Sequence, residues 1–232
     1  MEKVVTVYRN QTASFDVDCQ RGFTPLCPKE LPVSDGHLIV DELNGQVALA
    51  KYRVGSKDWH PSNALWIASN AHPQLSPIEP EQPNMDVYWN AHCIGGTEGS
   101  KLLPGLPDPE QYDFMVYKGL EPNMHPYGSC YHDLANTIST GVIEFLHRKN
   151  VKTLIIAGLA TDFCVKTTVK HLLYNGFTVI LNLGGCRGIT EKTINEAIEE
   201  MKSYAVRKDY TCSLKSSLNI VNSYTEIGNF DY

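Results

Sequence analysis

The sequence predicts an α/β fold with a mostly parallel central sheet, and three observations carry that expectation. Apolar runs of strand length recur along the chain, the clearest from Val151 to Ala157. Between them lie segments with apolar residues at helical spacing, such as Leu134, Ile138, Val142, Phe145 and Leu146. The chain has 232 residues, 42% hydrophobic and 20% charged, enough for one large core and short for two. Strands that are apolar on both faces belong in a sheet covered by helices on both sides. Right-handed crossovers make such a sheet doubly wound. The expected architecture is a Rossmann-like three-layer sandwich, one domain over residues 1–232, with a long lid-like region at about 55–112.

The elements follow in order. Ala13 to Asp18 reads as a buried strand, and Val33 to Asn44 as a helix closed by Gly45. Val47 to Val54 reads as a second strand. From about Gly55 to Asp113 the chain is irregular and rich in Pro, Asn, His and Gly; structureless stretches of that length are commonly functional. Phe114 to Tyr117 is a strand and Tyr131 to Lys149 a helix. Val151 to Ala157 is followed by a helix from Thr161 to Asn175, ended by Gly176. Phe177 to Leu183 is a strand, Thr190 to Tyr204 a helix with Thr190 as N-cap, and Ala205 to Val206 begins a last strand.

Bulk properties exclude several classes. The net charge is −6 with no basic run, so neither nucleic acid nor an anionic membrane surface is an expected partner. The strongest apolar stretch, Leu154 to Ala160, falls far short of the ~20 residues needed to span a bilayer. The first ten residues, MEKVVTVYRN, lack the apolar stretch of a signal peptide. Seven scattered cysteines, an odd number with no CxxC pair, argue against a disulfide framework and for a reducing cytoplasm.

In doubly wound sheets, ligands bind beyond the carboxyl ends of the strands. Four polar groups of residues fall there: Asp18; Asp58 with His60; Lys118; and Asp162 with Cys164. Thr161 and Asp162 are good N-cap types, so Cys164 lies in a first helical turn, where free N–H groups and the helix dipole favour a thiolate and an oxyanion. On position alone the more common reading is an ordinary buried core cysteine. Asp18 and Lys118 are charges at a buried rim, which is costly unless they are partnered. They suit proton transfer to and from Cys164, or else form a structural ion pair beside an unrelated thiol. Asp58 and His60, two apart, and His92 make a carboxylate-plus-two-imidazole set fit for Zn, Fe or Mn. His72, His125 and His132 lie in loops or at element ends, and His37, His147 and His171 in helices; none of these is expected at a metal.

Five motifs then arrive in one order: Val17-Asp18-Cys19-Gln20-Arg21-Gly22-Phe23; Asp58-Trp59-His60-Pro61-Ser62-Asn63; Trp89-Asn90-Ala91-His92-Cys93; Tyr117-Lys118-Gly119 with Tyr127 nine residues after the lysine; and Gly158-Leu159-Ala160-Thr161-Asp162-Phe163-Cys164-Val165. This series, from about Ala13 to Arg207, resembles the nicotinamidase branch of the isochorismatase-like cysteine hydrolases. The resemblance implies hydrolysis of nicotinamide to nicotinate and ammonia through a cysteine thioester. It implies Cys164 as nucleophile, Asp18 as general base and acid, and Lys118 as third catalytic member. A cis Leu159–Ala160 peptide would turn the N–H groups of Ala160 and Cys164 toward the oxyanion. Phe23 and Trp89 would clamp the pyridine ring, with Tyr127 in the same substrate-binding pocket. One divalent metal ion would sit on Asp58, His60 and His92, and the chain would self-associate.

Two departures are plain. Gly22 stands where the family often has an acidic residue, and Ala64 where many members have a second histidine. The remaining alternatives are a related amidohydrolase acting on another small amide or ureide, and a non-catalytic binding module on the same fold.

Overall fold

The computed structural model describes residues 7–207 and the strand Cys212–Lys215. Among the described residues, six strands form one sheet: β1 (Thr12–Val17), β2 (Tyr52–Asp58), β5 (Phe114–Lys118), β6 (Thr153–Leu159), β7 (Thr178–Arg187) and β8 (Cys212–Lys215). Their order is β5-β2-β1-β6-β7-β8, and every neighbouring pair is parallel. Two further strands, β3 (Pro77–Gln82) and β4 (Met85–Val87), make a separate antiparallel hairpin. The helices are α1 (Val40–Gln46), α2 (Val142–Arg148), α3 (Lys166–Tyr174) and α4 (Glu191–Arg207).

The chain winds outward from β1 through β2 to β5 on one side, and from β6 through β7 to β8 on the other. The reversal falls between β1 and β6, and a crevice opens at the carboxyl ends of the strands at such a point. All of β1 and nearly all of β6 is buried, as expected for central strands covered on both faces. α1 packs against β6 and β7, α2 against β5, and α3 against β7. The main core runs from Phe15, Leu154 and Ile156 of the sheet to Leu43, Leu146, Val169 and Leu172 of the helices. Among the described residues, no helix is long and apolar enough to cross a membrane.

The α/β, doubly wound architecture is as expected, but several boundaries differ. A left-handed Asp35 (φ 55) stands before the first helix, a tight turn occupies Gly36–Ile39, and α1 starts only at Val40. Gly45 lies inside α1 rather than ending it. The next residue, Gln46, donates to Ser14 Oγ (3.0 Å) and Asp16 Oδ1 (3.3 Å), which docks the last turn on β1. Val47–Leu49 prolongs the helix as a 3-10 turn, so β2 starts at Tyr52, and pairing on both edges carries it to Asp58.

The largest correction lies at 131–141, where a loop replaces the first half of the expected helix. Asp133 Oδ1 accepts the backbone N–H groups of Thr137 (2.9 Å) and Ile138 (2.8 Å), in competition with helical bonding. Asn136 (φ 60) and Gly141 (φ 86) are left-handed, so regular helix begins at Val142. The irregular region contains the β3–β4 hairpin, β7 extends through Gly184-Gly185 and Cys186 to Arg187, and Ala205 and Val206 belong to α4. Thr190 Oγ1 accepts the N–H of Thr193 (3.1 Å), the expected cap of α4.

Candidate active site

Asp18 follows β1 with φ 47, a conformation aspartate tolerates better than most residues, and is fully buried. Ser56 of β2 donates its hydroxyl to Asp18 Oδ1 (2.5 Å), and Lys118 Nζ lies 3.0 Å from Oδ2. Gln20 staples the next strand. Its amide donates to Asp58 O (2.8 Å), and its carbonyl accepts the Asp58 N–H (2.7 Å). The Asp-x-Gln spacing thereby fixes β2 against the turn after β1.

Lys118 ends β5 without solvent contact. Its ammonium is paired with Asp18 and donates to Asp58 Oδ1 and to Pro126 O (3.2 Å), with Cys164 Sγ at 3.8 Å. Burial alone would lower its pKa, but the two carboxylates outweigh that and hold Lys118 well above the ordinary lysine value. Burial likewise raises Asp18 despite Lys118, and the charge of Asp58 adds to the rise. At Asp58 the balance tips the other way: Lys118 and His60 overcome burial and keep the carboxyl well below its usual range.

Cys164 sits in a π-helical turn, Thr161–Val165, between β6 and α3. The cap of this turn is Ala160, not Thr161 or Asp162; Ala160 O accepts the N–H groups of Phe163 (3.1 Å) and Val165 (3.1 Å). Asp162 instead accepts the Ile189 N–H (3.1 Å) and the Thr193 hydroxyl (2.5 Å), fixing the turn to α4. The Leu159–Ala160 peptide is cis. Burial pushes the Cys164 thiol well above its usual pKa; Lys118 opposes the rise, and Asp18 and Asp58 add to it. The expectation that the helix start makes a standing thiolate is therefore corrected. Burial favours the thiol form, and acceptor oxygens of Asp18 and Asp58 lie within 4.8 Å of Sγ.

Phe23, Trp89, Tyr127 and Ala160 line one pocket with Cys164. Trp89 Nε1 donates to the Tyr127 hydroxyl (3.2 Å), which in turn donates to Asp86 Oδ1 on β4 (2.7 Å). Phe163, which the sequence did not single out, meets the Trp89 ring edge-to-face at 5.1 Å. Its position next to Cys164 was the available signal.

At one end of the pocket the imidazoles collect. The segment after His92 runs beside His60, whose N–H donates to Cys93 O (3.1 Å) and whose carbonyl accepts the Gly95 N–H (2.9 Å). His60 Nδ1 faces Gly119 O (3.0 Å) and His92 Nδ1 faces Asn90 O (2.7 Å). Carbonyls only accept, so both Nδ1 atoms carry a proton, and in the neutral ring the Nε2 atom is the one with the lone pair. The Nε2 atoms face Asp58 Oδ2, at 3.5 Å from His60 and 3.9 Å from His92. Burial, then the neighbouring His60, holds His92 down to about 3, so it stays neutral as a metal ligand must. Gly119 (φ +69) is required here, because a Cβ on it would lie 2.3 Å from the His60 ring. His60 Nε2 is buried with no hydrogen-bond partner among the described residues. A carboxylate oxygen beside two buried imidazole nitrogens, that of His60 without a partner among the described residues, suits a divalent cation.

The sequence also set aside a residue that the structure brings to this cluster. His125 is buried, and a ring nitrogen of it lies within 4.8 Å of those of His60 and His92. No spacing signal marks it; it arrives from the loop after Lys118. His72, by contrast, is exposed and stacks on Tyr88 at 4.7 Å. Beside Gly22, where a Cβ would lie 2.3 Å from Glu30 Oε2, the Glu30 carboxylate fills the space and accepts the Cys93 N–H (2.8 Å).

A doubly wound sheet with a thiol, a carboxylate and a lysine gathered at its switch point defines an α/β protein of hydrolase type. The isochorismatase domain family matches residues 76–208, more than half of the chain, and the chain belongs to that family. It is 30% identical over 202 residues to a nicotinamidase of Acinetobacter baylyi, covering 86% of this chain and 92% of that protein. It superposes with TM-score 0.77 and 26% identity on a nicotinamidase/pyrazinamidase of Acinetobacter baumanii, covering 88% of this chain and 96% of that one. A pyrazinamidase of Pyrococcus horikoshii, solved in complex with zinc, superposes at 0.69 with 26% identity over 88% of this chain and 98% of that one.

Proposed function

We propose that this protein hydrolyses nicotinamide to nicotinate and ammonia, with Cys164, Asp18 and Lys118 as its catalytic residues. The observation that carries this reading is the contact of all three at the foot of an aromatic pocket, in a chain 30% identical to a nicotinamidase.

The ring of the substrate lies between Phe23 and Trp89, with Tyr127 closing one side. Asp18 takes the Cys164 proton as sulfur attacks the carboxamide carbon, so the thiolate forms only when it is used. The N–H groups of Ala160 and Cys164 stabilise the tetrahedral oxyanion. Lys118 balances the charge of Asp18 and Asp58 and keeps Asp18 oriented toward sulfur. Collapse breaks the C–N bond, and Asp18 returns its proton to the departing ammonia. A water molecule then gives its proton to Asp18 and attacks the thioester. The C–S bond breaks, nicotinate leaves, and the proton goes back to sulfur.

Asp58, His60 and His92 would hold a divalent cation of zinc, iron or manganese type, which would supply positive charge beside the pyridine ring. Residues 1–232 act as one catalytic unit, with the 55–112 region carrying these ligands and covering the pocket. Cys19, Cys27, Cys93, Cys130, Cys164 and Cys186 are free thiols, which suits a reducing cytoplasm.

Ammonia release from nicotinamide, pyrazinamide and a panel of aliphatic amides and ureides tests the reading. The expected result is turnover of the heteroaromatic amides, abolished in Cys164→Ala. Turnover that survives in that variant, or that is confined to ureides, would overturn it.

A further inference from the structure

Three imidazoles, not two, stand around the cluster beside Asp58. The His125 ring lies parallel to that of His60 at 5.3 Å (19° between planes) and nearly perpendicular to that of His92 at 5.5 Å. Among the described residues, neither His60 Nε2 nor either nitrogen of His125 has a hydrogen-bond partner, although all are buried. A neutral imidazole carries one donor and one lone pair, and leaving both unmet in a buried site is costly. The lone pair finds no donor among these neighbours: the Nδ1 atoms of His60 and His92 face carbonyls, and the Trp66 and Trp89 N–H groups donate to Met124 O and to the Tyr127 hydroxyl.

We propose that His125 is a fourth protein ligand of the cation held by Asp58, His60 and His92. This rests on the reading that those three residues bind a metal, and extends it. A cation bound at the His125 lone pair removes one of the orphaned atoms of that ring, as it does for His60. The distances permit it. Nitrogens that share a zinc ion at about 2.1 Å lie roughly 3–4 Å apart, and the three ring nitrogens already lie within 4.8 Å of one another.

The ring is also held in place before any cation arrives. The His125 N–H donates to Asn84 O (2.8 Å) at the tip of the β3–β4 hairpin. The preceding carbonyl, Met124 O, accepts from Trp66 Nε1 (3.1 Å), and the following one, Pro126 O, accepts from Lys118 Nζ (3.2 Å). Trp66 packs edge-on against the His125 ring at 4.5 Å, and Trp89 lies nearly parallel to it at 5.9 Å. A loop pinned at three successive residues presents its histidine as rigidly as a strand end would.

Zinc-edge X-ray absorption on the wild-type protein loaded with one zinc ion counts the imidazoles directly, without any substitution. Three imidazole shells are expected. In parallel, zinc affinity is measured by competition with a chromophoric chelator, and the visible spectrum of the cobalt(II) form is recorded, for wild type, His125→Phe and His92→Ala. Loss of an outer-shell partner alone weakens metal binding by roughly 10–100-fold, so His125→Phe should weaken zinc by about 100-fold or more and change the cobalt spectrum.

Two imidazoles in the wild type would overturn the proposal. So would wild-type affinity and spectrum in His125→Phe while His92→Ala loses zinc; His125 would then be a wall of the pocket, and the three-residue metal site would stand. A wild-type protein that takes up no stoichiometric zinc or cobalt would remove the metal site itself and the proposal with it. If His125→Phe fails to fold, the absorption count on the wild type decides.

Discussion

Lys118 and Asp58 form an ion pair that couples two halves of one site. Lys118 Nζ donates to Asp58 Oδ1, and Asp58 Oδ2 faces His60 Nε2 at 3.5 Å. The same ammonium reaches Cys164 Sγ at 3.8 Å, so one carboxylate touches both the thiol machinery and the imidazole cluster.

Removing Lys118 should therefore cost both function and stability. Lys118→Met leaves Asp18 and Asp58 buried without their cation, and breaking a buried pair from one side costs about 3–5 kcal/mol. Ammonia release should fall below detection, and urea titration should show the lower stability.

Asp58 and His92 should be separable from Cys164 by metal content. Asp58→Ala and His92→Ala should lose bound metal by elemental analysis, whereas Cys164→Ala should retain it while losing turnover. Full occupancy in both ligand variants would contradict the assignment.

A second, largely buried pair joins the same two strands β1 and β2. Asp16 accepts from Arg53 Nε (2.8 Å) and from the Tyr112 hydroxyl (2.9 Å), and its ion pair with Arg53 Nη2 measures 2.7 Å. Burial raises the Asp16 pKa against these partners. Arg53→Ala should destabilise the fold by about 3–5 kcal/mol, and Arg53→Lys should restore only part of it, because lysine lacks the forked geometry. Equal stability of the two variants in urea would argue against a role for the fork.

His171 makes stability sensitive to acid. Burial, reinforced by Lys170, draws its pKa from 6.5 to about 4. The unfolded chain binds a proton near 6.5 while the folded chain resists until about 4. Stability is thus lost as pH falls through that window, by at most about 3 kcal/mol, and no further loss from this group follows below it. Chemical denaturation at a series of pH values should show a shallower slope between 6.5 and 4 in His171→Gln. An unchanged slope would assign the acid sensitivity to other groups.

Much of the site was legible because a parallel sheet brings its strand ends to one rim. Asp18 follows β1, Asp58 and Lys118 end β2 and β5, and the turn with Cys164 follows β6, so their places at or near strand ends put them together. His125 was not legible. Its place depends on hydrogen bonds to Asn84 and through Met124 to Trp66, partners with no fixed spacing from it in sequence. The loop at 131–141 misled for a different reason: its apolar residues follow helical spacing, yet the side chain of Asp133 takes the N–H groups a helix would use, and Ile138 points to solvent, 46% exposed. Periodicity reports which residues are apolar and is blind to a competing local hydrogen-bond acceptor.

The strand order also sets a timetable for synthesis. β1 can pair with β2, and β2 with β5, once the ribosome has released residue 118, but the other edge of β1 awaits β6 at Thr153–Leu159. Until then a nascent chain carries an apolar, unpaired central edge, the kind of surface that invites association with other chains. Asp18 is made early and Cys164 late, so the pocket first takes shape when β6 docks beside β1 and the turn behind it closes.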